Sequence, residues 1–271
     1  MNIQTLTNKI QKDSILNNLA SFFDNEIYVV GGTVRDFLMG KISYDRDLIV
    51  VDEDAKSFSQ KVAEFFDGVF IPLDEENKIY RIVLKDKKNF LDITNPIGGN
   101  LEEDIMRRDI TINAIAVNIK TGEIPSFCEF GIQDIQNKII REIKEENFTD
   151  DPLRMLRVYR FYANLGFEIS PELLNITKKH ASLINKPAKE RIEYELMTFE
   201  NLNKTGYITE RFRANLCEQI HIEPEAEVVH AEYLAYKKAW VDYEIEAGKW
   251  HLLSTPLNDV FSGDFYTKKE T

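Results

Sequence analysis

Two aspartates one residue apart, Asp45 and Asp47, are the side chains whose type and spacing most directly suggest chemistry in this 271-residue chain. They begin the run DRDLIVV, which is typical of a strand. Side chains at positions i and i+2 of a strand point to the same face, so the two carboxylates would lie side by side. Such a pair suits Mg²⁺, which takes oxygen ligands from one or two carboxylates and from substrate phosphates. We predict a metal site there, although a DxD pattern alone is also common on protein surfaces.

A third carboxylate, Asp92, lies in the strand-like run FLDIT. A neighbouring strand would bring it alongside Asp45 and Asp47, so we predict that all three are catalytic. Two metal ions held there could activate an attacking hydroxyl and neutralise a leaving pyrophosphate.

A pair of glycines, Gly31 and Gly32, separates the predicted strand EIYVV from the predicted helix TVRDFLMG. Glycine lets backbone N–H groups approach phosphate oxygens closely, and the start of a helix favours negative charge. Arg35, in the first turn of that helix, would add a charge-assisted contact to a triphosphate. A glycine pair alone indicates no more than a tight turn. Followed by the strand-borne DxD, it predicts a nucleotide site.

The bulk composition allows such an enzyme and excludes several other classes. Hydrophobic residues make up 43% of the chain and the net charge is -12, which argues against a protein that wraps nucleic acid over a broad surface. No run of 18 apolar residues occurs, so we expect no membrane association. With two distant cysteines, Cys128 and Cys217, a disulfide framework is not expected and the cytoplasm is the predicted compartment.

The elements that must position these residues form an alternating pattern up to about residue 125, opened by one helix over the first 24 residues. Further helices are predicted at 55–66 and 101–108, and strands at 26–30, 45–51, 68–72, 79–84 and 89–94.

From about residue 130 the pattern becomes helical. Helices are predicted at 151–165, 170–184 and 187–203. We therefore predict an α+β protein with a small sheet and flanking helices in an N-terminal head (1–128), an all-helical neck (129–200) and a short, mostly helical C-terminal body (201–271).

Three ordered segments carry a resemblance to a known family. GGTVRD followed by DRDLIV, then RRDITINA (107–114), then DDPLRMLR (150–157) resemble the motifs of class II tRNA nucleotidyltransferases and bacterial poly(A) polymerases, within the polymerase-β-like nucleotidyltransferase superfamily. The resemblance covers about residues 26–200, and Asp150 replaces the glutamate that is common at its position.

The resemblance implies a template-independent enzyme that uses Mg²⁺ to add CMP or AMP from CTP or ATP to the 3′ end of tRNA. Asp45 and Asp47 would hold the metal. The residues that would bind the nucleotide are Gly31, Gly32, Arg35, Arg108, Asp109, Asn113, Asp151, Arg154, Arg157 and Arg160.

Asp151 and Arg154 would read the base. A carboxylate accepts from the exocyclic amine that cytosine and adenine share, and a guanidinium donates to a ring nitrogen or carbonyl. Two alternatives stay open: Asp151 is also placed to cap a helix that has Pro152 at its first position. Arg154, Arg157 and Arg160 share one helix face, which would also suit a solvated surface.

Other segments are interpreted through the same resemblance. Residues 131–149 would correspond to a flexible loop, and Arg191 would brace the nucleotide-binding helix. The region 201–271 has 8 Lys and Arg against 12 Asp and Glu, a net charge of -4, so it is a poor candidate for a tRNA-gripping tail. It would instead be degenerate, specialised or an element that forms a homodimer.

Three other functions remain open from the sequence. Poly(A) synthesis shares these motifs, and so does nucleotide transfer to a protein or small molecule. An inactive nucleotide-binding module is the third, although the intact carboxylate pair argues against it.

Overall fold

The computed structural model describes residues 3–188, 191–192, 195, 250–252 and 266–268. The chain folds into two compact units, Met1–Lys144 and Glu145–Thr271. The domain division predicted at residues 128 and 200 stays a prediction. No helix in the described ranges is both long and apolar enough to cross a membrane.

A mixed sheet of six strands forms the centre of the first unit, in the order β3-β4-β5-β2-β1-β6. Neighbouring strands run antiparallel except β2 and β5, which are parallel. The strands are β1 (Ile27–Val30), β2 (Asp45–Val50), β3 (Val69–Asp74), β4 (Ile79–Val83), β5 (Phe90–Thr94) and β6 (Ala116–Asn118).

Helices flank this sheet, as the sequence predicted for the head. They are α1 (Ile3–Lys12), α2 (Ser14–Phe22), α3 (Gly32–Leu38), α4 (Ala55–Phe66), α5 (Leu101–Met106) and α6 (Glu129–Asn137), followed by a short strand β7 (Ile139–Ile140). Two 3₁₀ turns, Thr111–Asn113 and Ser126–Cys128, lie between α5 and α6.

The strands bury one face of the sheet and leave the other open near the start of β2. Leu48, Ile82 and Leu91 are fully buried on the side where α4 packs against β4 and β5. At the start of β2 exposed and buried residues alternate, since Asp45 and Asp47 are exposed while Arg46 and Leu48 are buried. The open face therefore carries the two aspartates of β2.

The predicted single helix over residues 1–24 is wrong, because Asp13 divides it. Its side chain accepts hydrogen bonds from the backbone of Ile15 and Leu16, both at 3.1 Å, and so begins α2 as an N-cap. It also forms an ion pair with the buried Arg46 at 2.7 Å. This contact ties the helix break to β2.

The second unit is described mainly over residues 145–188. Its elements there are α7 (Glu146–Asp150), α8 (Leu153–Leu165), a short strand β8 (Glu168–Ile169), α9 (Pro171–Lys179) and a 3₁₀ helix, Ala181–Asn185. The predicted helix over 170–184 therefore ends earlier than expected. The segment 131–149, which was predicted to correspond to a flexible loop, contains most of α6 together with β7 and α7; its flexibility stays a prediction.

Most of the predicted helix 187–203 and of the predicted helical body 201–271 lies outside the described residues. Residues 191, 192 and 195 are helical. Trp250–Leu252 and Tyr266–Lys268 pair as antiparallel strands, within a region that was predicted to be mostly helical.

Candidate active site

Strand register brings the three predicted carboxylates together on the open face of the sheet. Asp45 and Asp47 follow the i, i+2 spacing of β2, and Asp47 lies directly opposite Asp92 in the parallel pairing of β2 with β5. Val30, the last residue of β1, lies opposite Asp47 on the other side. The register of the sheet therefore brings all three aspartates to one face of two adjacent strands.

Burial and mutual repulsion disfavour charge on the β2 carboxylates. The pKa of Asp47 is raised to about 6, first by loss of hydration and then by the charges of Asp45 and Asp92, against the opposing charge of Arg108. The pKa of Asp45 is raised for the same reasons, hydration loss first and then Asp92. Asp47 nevertheless keeps an exposed surface. Both observations hold together if its carboxylate lies on the floor of an open concave site.

The donors on this face are all carboxylate oxygens, which fit a hard divalent cation. Such a cation would offset the repulsion between Asp45 and Asp47. In the part of the chain that the structure describes, no three His, Cys, Asp or Glu side chains converge as a complete metal site. Two carboxylates completed by substrate phosphates and water match the way in which Mg²⁺ is usually held.

Arg81 of β4, which the sequence interpretation missed, holds Asp92. Its Nε donates to Asp92 Oδ1 at 2.7 Å and its Nη2 donates to Asp92 Oδ2 at 2.6 Å. The same Nη2 lies 3.7 Å from Asp45 Oδ1. The pKa of Arg81 is raised, chiefly by the hydrogen bond to Asp92. Both oxygens of Asp92 are thus engaged by one guanidinium.

Gly31 lies against the carboxylates on the opposite side of Asp47. Its φ of +70° suits glycine. A Cβ at this position would come within 2.8 Å of Arg108 Nη1 and 3.4 Å of Asp47 Oδ2. Only a residue without a side chain lets the backbone, Arg108 and Asp47 approach this closely.

Asp104 of α5 anchors Arg108 beside that glycine. Arg108 Nη2 donates to Asp104 Oδ2 at 3.0 Å, and Arg108 Nη1 donates to the backbone carbonyl of Asn113 at 3.3 Å. Asp104 is buried, and it also pairs with Arg107 and accepts from the backbone of Ile97. Arg108 is thereby the cation whose charge acts most strongly on Asp47.

Arg35 and Asn113 form a buried pair below this cluster. Arg35 Nη1 donates to Asn113 Oδ1 at 2.7 Å, and its Nε and Nη2 donate to Asp36 Oδ1, both at 2.9 Å. The guanidinium also lies against Gly32. The phosphate contacts expected of Arg35 and Gly32, and the nucleotide contact expected of Asn113, stay predictions. The contacts of Arg35 show a second role, which is to join α3 to the turn that carries Asn113.

Asp109 and Thr111 lie in the same turn and are buried. Asp109 Oδ1 accepts from the backbone N–H of Ile110, and Thr111 Oγ1 donates to Asp134 Oδ2 at 2.6 Å. Arg141 also donates to Asp134, at 3.1 Å. Asp134 on α6 therefore supports this turn, a role that no short motif around it indicated. The ribose contact expected of Asp109 stays a prediction.

In the second unit, Asp151 does not cap α8 with its side chain. The helix begins at Leu153 after Pro152 and has no side-chain cap. Asp151 Oδ2 accepts instead from Arg191 Nη2 at 2.8 Å. Asp151 Oδ1 is buried and has no hydrogen-bond partner within the described ranges. The capping alternative is therefore wrong, and one carboxylate oxygen remains available as an acceptor.

The arginines of α8 make contacts within the unit. Arg154 Nη1 donates to the carbonyl of Asn147 at 3.1 Å. Arg160 Nε donates to Glu195 Oε2 at 2.7 Å, and Arg157 lies 3.8 Å from Glu195 Oε1. The idea of a merely solvated face does not fit Arg160, whose side chain is 16% exposed. The nucleotide contacts predicted for the three arginines stay predictions.

Comparison with known proteins addresses the family directly. Residues 27–141 match the poly(A) polymerase head domain. The CC-adding tRNA nucleotidyltransferase of Geobacter sulfurreducens is 37% identical over 189 residues, which are 70% of this chain and 44% of the relative. The chain belongs to the family of tRNA nucleotidyltransferases and poly(A) polymerases. A second relative, the CC-adding enzyme of Shouchella clausii, is 34% identical over 85% of this chain and 61% of its own length.

Solved structures of the same family have a similar fold. A CCA-adding enzyme in complex with CTP gives a TM-score of 0.63 at 27% identity, over 72% of this chain and 49% of that protein. The Thermotoga maritima CCA-adding enzyme complexed with tRNA gives a TM-score of 0.64 at 23% identity, over 90% and 62%, which supports the fold alone. The chain spans about half the length of the relatives that it matches.

Family membership fits where the motifs lie in the structure. The matched head domain contains β2 and β5, which carry the three predicted catalytic aspartates. It also contains the segment from β1 through α3 and the turn after α5, which carry the predicted nucleotide-binding residues of the first unit. The match ends at residue 141, shortly before the first compact unit ends at Lys144. In this member of the family, Arg81, Asp104 and Asp134 are side chains that the structure adds to the predicted site residues.

Proposed function

We propose that this chain is a divalent-metal-dependent nucleotidyltransferase that adds CMP, AMP or both, from CTP or ATP, to the 3′ end of a tRNA. The observation that carries the proposal is the placement of Asp45 and Asp47 side by side on the sheet, with Gly31 next to Asp47 and Arg108 and with the charge of Arg108 acting on Asp47. The Geobacter and Shouchella relatives, both CC-adding tRNA nucleotidyltransferases, support this substrate class.

Asp45 and Asp47 would hold the metal, and Mg²⁺ is the ion that we propose because the donors are carboxylate oxygens. When bound, the metal supplies Lewis acidity that activates a 3′-hydroxyl and offsets charge on the leaving pyrophosphate. The residues of this chain do the rest. Arg108 places positive charge next to Asp47, and the conformation of Gly31 keeps the backbone close enough to contact a phosphate.

Asp151 would select the base. Its Oδ1 is a buried acceptor, while its Oδ2 is held by Arg191. An unsatisfied buried acceptor is costly, so a ligand amine that satisfies it gains that free energy. Cytosine and adenine carry an exocyclic amine, whereas the carbonyl at the same edge of uracil or guanine would face the carboxylate without a proton to share. Arg154 would complete the pair as a donor.

The test is nucleotide incorporation by the purified protein. Transcripts of one tRNA that lack one, two or all three of the terminal CCA nucleotides are incubated with Mg²⁺ and each single nucleoside triphosphate. CC addition predicts CMP on the two shorter transcripts alone, and CCA addition also predicts AMP on the transcript that ends in CC. Long tails from ATP would indicate a poly(A) polymerase. Absence of incorporation with every nucleotide would overturn the proposal.

Two further assignments belong to the same proposal. We place the enzyme in the cytoplasm, because the chain has only two cysteines and Cys128 is free and buried. A homodimer stays a prediction, which sedimentation of the purified protein would test.

A further inference from the structure

Arg81 lies where a metal ion would compete with it. It occupies the middle of β4 in the otherwise apolar run IYRIV and is paired in register with Asp92, which is in turn paired with Asp47. Its guanidinium contacts both oxygens of Asp92 and approaches Asp45 to 3.7 Å. The face of the ring of Phe90 lies 5.3 Å from the guanidinium carbon. A cation is thus already in contact with two of the three carboxylates.

The negative charges of the three aspartates explain why a nearby cation would stabilise this face of the sheet. Asp45, Asp47 and Asp92 lie on one face of two adjacent strands, so without nearby cations they would repel one another strongly. Arg108 acts on Asp47 from the side of β1. Arg81 acts from the side of β4 and reaches Asp92 and Asp45. A divalent metal at Asp45 and Asp47 would be attracted by the carboxylate of Asp45, which Arg81 also approaches.

We infer that Arg81 is a positioning residue that fixes Asp92 and competes with the divalent metal for the charge of Asp45. Asp92 then acts through Arg81 and is not a direct metal ligand. The inference rests on the metal site of the proposed function. It does not depend on which nucleotide is transferred or on the acceptor.

Competition between Arg81 and the metal predicts tighter metal binding when Arg81 is removed, whereas a purely structural role for Arg81 does not. Two cations that share one set of carboxylates are thermodynamically linked, so the loss of one must strengthen the binding of the other. An arginine that merely joined β4 to β5 would lower stability when removed and leave metal affinity unchanged or reduced. The direction of the change in metal affinity therefore separates the two roles.

The experiment measures Mn²⁺ binding to metal-stripped full-length protein without nucleotide, by electron paramagnetic resonance of the free ion. Mn²⁺ serves as the probe because it also prefers oxygen ligands. Arg81→Gln removes the charge but keeps an amide that can donate to Asp92, and Arg81→Lys keeps the charge without the forked geometry. Lys61→Met is the matched control, since Lys61 lies on α4, is exposed and carries a positive charge that pairs only with Glu53 among the described ion pairs.

We expect Arg81→Gln to bind Mn²⁺ about fivefold more tightly than the unchanged protein. Arg81→Lys and Lys61→Met should stay within about twofold, as expected for charge-conserving or exposed changes. Asp92→Asn should weaken binding, because it leaves Arg81 free to pair with Asp45. The combination of Arg81→Gln with Asp92→Asn should bind Mn²⁺ about as tightly as Arg81→Gln alone, because residue 92 then has no guanidinium to hold. If Asp92 were a direct ligand, the double variant would bind far more weakly.

Unchanged or weaker Mn²⁺ binding by a folded Arg81→Gln protein would overturn the inference. If that variant does not fold, the Asp92→Asn protein decides, because Mn²⁺ affinity equal to that of the unchanged protein contradicts the competition. These outcomes are distinct from failure of the proposed function. A protein that incorporates no nucleotide can still bind Mn²⁺ more tightly without Arg81. Conversely, an active enzyme can show no change in Mn²⁺ affinity when Arg81 is replaced.

Discussion

The proposed catalytic residues of the first unit and the proposed base-reading residues of the second are held by different means. Asp45, Asp47 and Asp92 come from two strands whose register fixes them, so hydrogen bonds of the backbone set their spacing. Asp151 follows the short helix α7, and the ion pair with Arg191 orients it. We expect a substitution in the sheet site to remove chemistry without loss of the fold. A substitution in the second unit should change selectivity through altered orientation.

Asp47 is the position where a substitution should most clearly lower activity without lowering stability. Asp47→Asn should lower the rate of nucleotide incorporation by about 10²–10³-fold or more, because the metal loses a charged ligand. Its metal-free fold should become more stable at neutral pH. The folded-state pKa of about 6 lies above the ordinary value of 3.8, so the ionised form destabilises the native protein above pH 6. That cost fades as the pH falls through 6.

The measurement is thermal unfolding in a chelator at pH 7.5 and pH 5. If the whole pKa shift of Asp47 were converted into free energy of unfolding, Asp47→Asn would gain about 3 kcal/mol. Solvent access to the carboxylate reduces the expected gain to about 1 kcal/mol, or roughly 2–4 °C in Tm. The gain should shrink at pH 5. Asp74→Asn is the control, because hydrogen bonds from Asn77 lower the pKa of Asp74 and its removal should not stabilise. A less stable Asp47→Asn protein at pH 7.5 would contradict this account of the site.

A second large effect is expected at Gly31. Gly31→Ala places a methyl group 2.8 Å from Arg108 Nη1 in a backbone conformation with φ +70°, so it should cost about 1–3 kcal/mol of stability. It should also reduce kcat/KM for the nucleotide, because Arg108 must move away from Asp47. Gly99→Ala is the matched control in the same unit, since Gly99 has φ +107° but open space around it. Equal losses of activity in the two variants would show that strain alone, without displacement of Arg108, is responsible.

In the second unit the effect should appear as altered selectivity. Asp151→Asn keeps the size of the side chain but offers one acceptor and one donor, so the preference for CTP and ATP over UTP should fall by about 1–3 kcal/mol. Single-nucleotide kcat/KM values on one tRNA transcript measure it. Arg191→Ala should give a smaller fall in the same direction, because it frees the orientation of Asp151 and leaves its charge. An unchanged ratio of CTP to UTP in Asp151→Asn would exclude a base-reading role.

The two regions also differ in how far the sequence predicts them. Residues 55–66 form α4 as predicted, and the i, i+2 spacing placed Asp45 and Asp47 on one face, because both features depend on local periodicity. Asp92 followed from the expectation that neighbouring strands bring carboxylates together. Each of these rests on a short segment whose pattern is unambiguous.

Two supports of the site, Asp134 and Arg81, act through residues that are distant in the sequence, and short motifs do not reveal such pairs. Asp134 bonds to Thr111 from a helix 23 positions away. Arg81 bonds to Asp92 only because β4 and β5 pair in one particular register. A lone arginine in the apolar strand IYRIV was the one signal that pointed to a partner on the open face. The side-chain role of Asp151 was ambiguous, because an aspartate before proline predicts a cap as readily as a ligand.

The smallest effect on activity is expected at Glu195, which ties Arg160 and Arg157 together. Glu195→Gln removes the charged acceptor of a largely buried pair with Arg160, at 2.7 Å, and should lower stability by about 1–3 kcal/mol. Incorporation from CTP should fall only slightly if Glu195 acts through the packing of α8. Chemical denaturation and steady-state kinetics on the same preparation measure both quantities. A loss of CTP selectivity as large as that of Asp151→Asn would instead place Arg160 and Arg157 at the base, and would remove the distinction between support and recognition in the second unit.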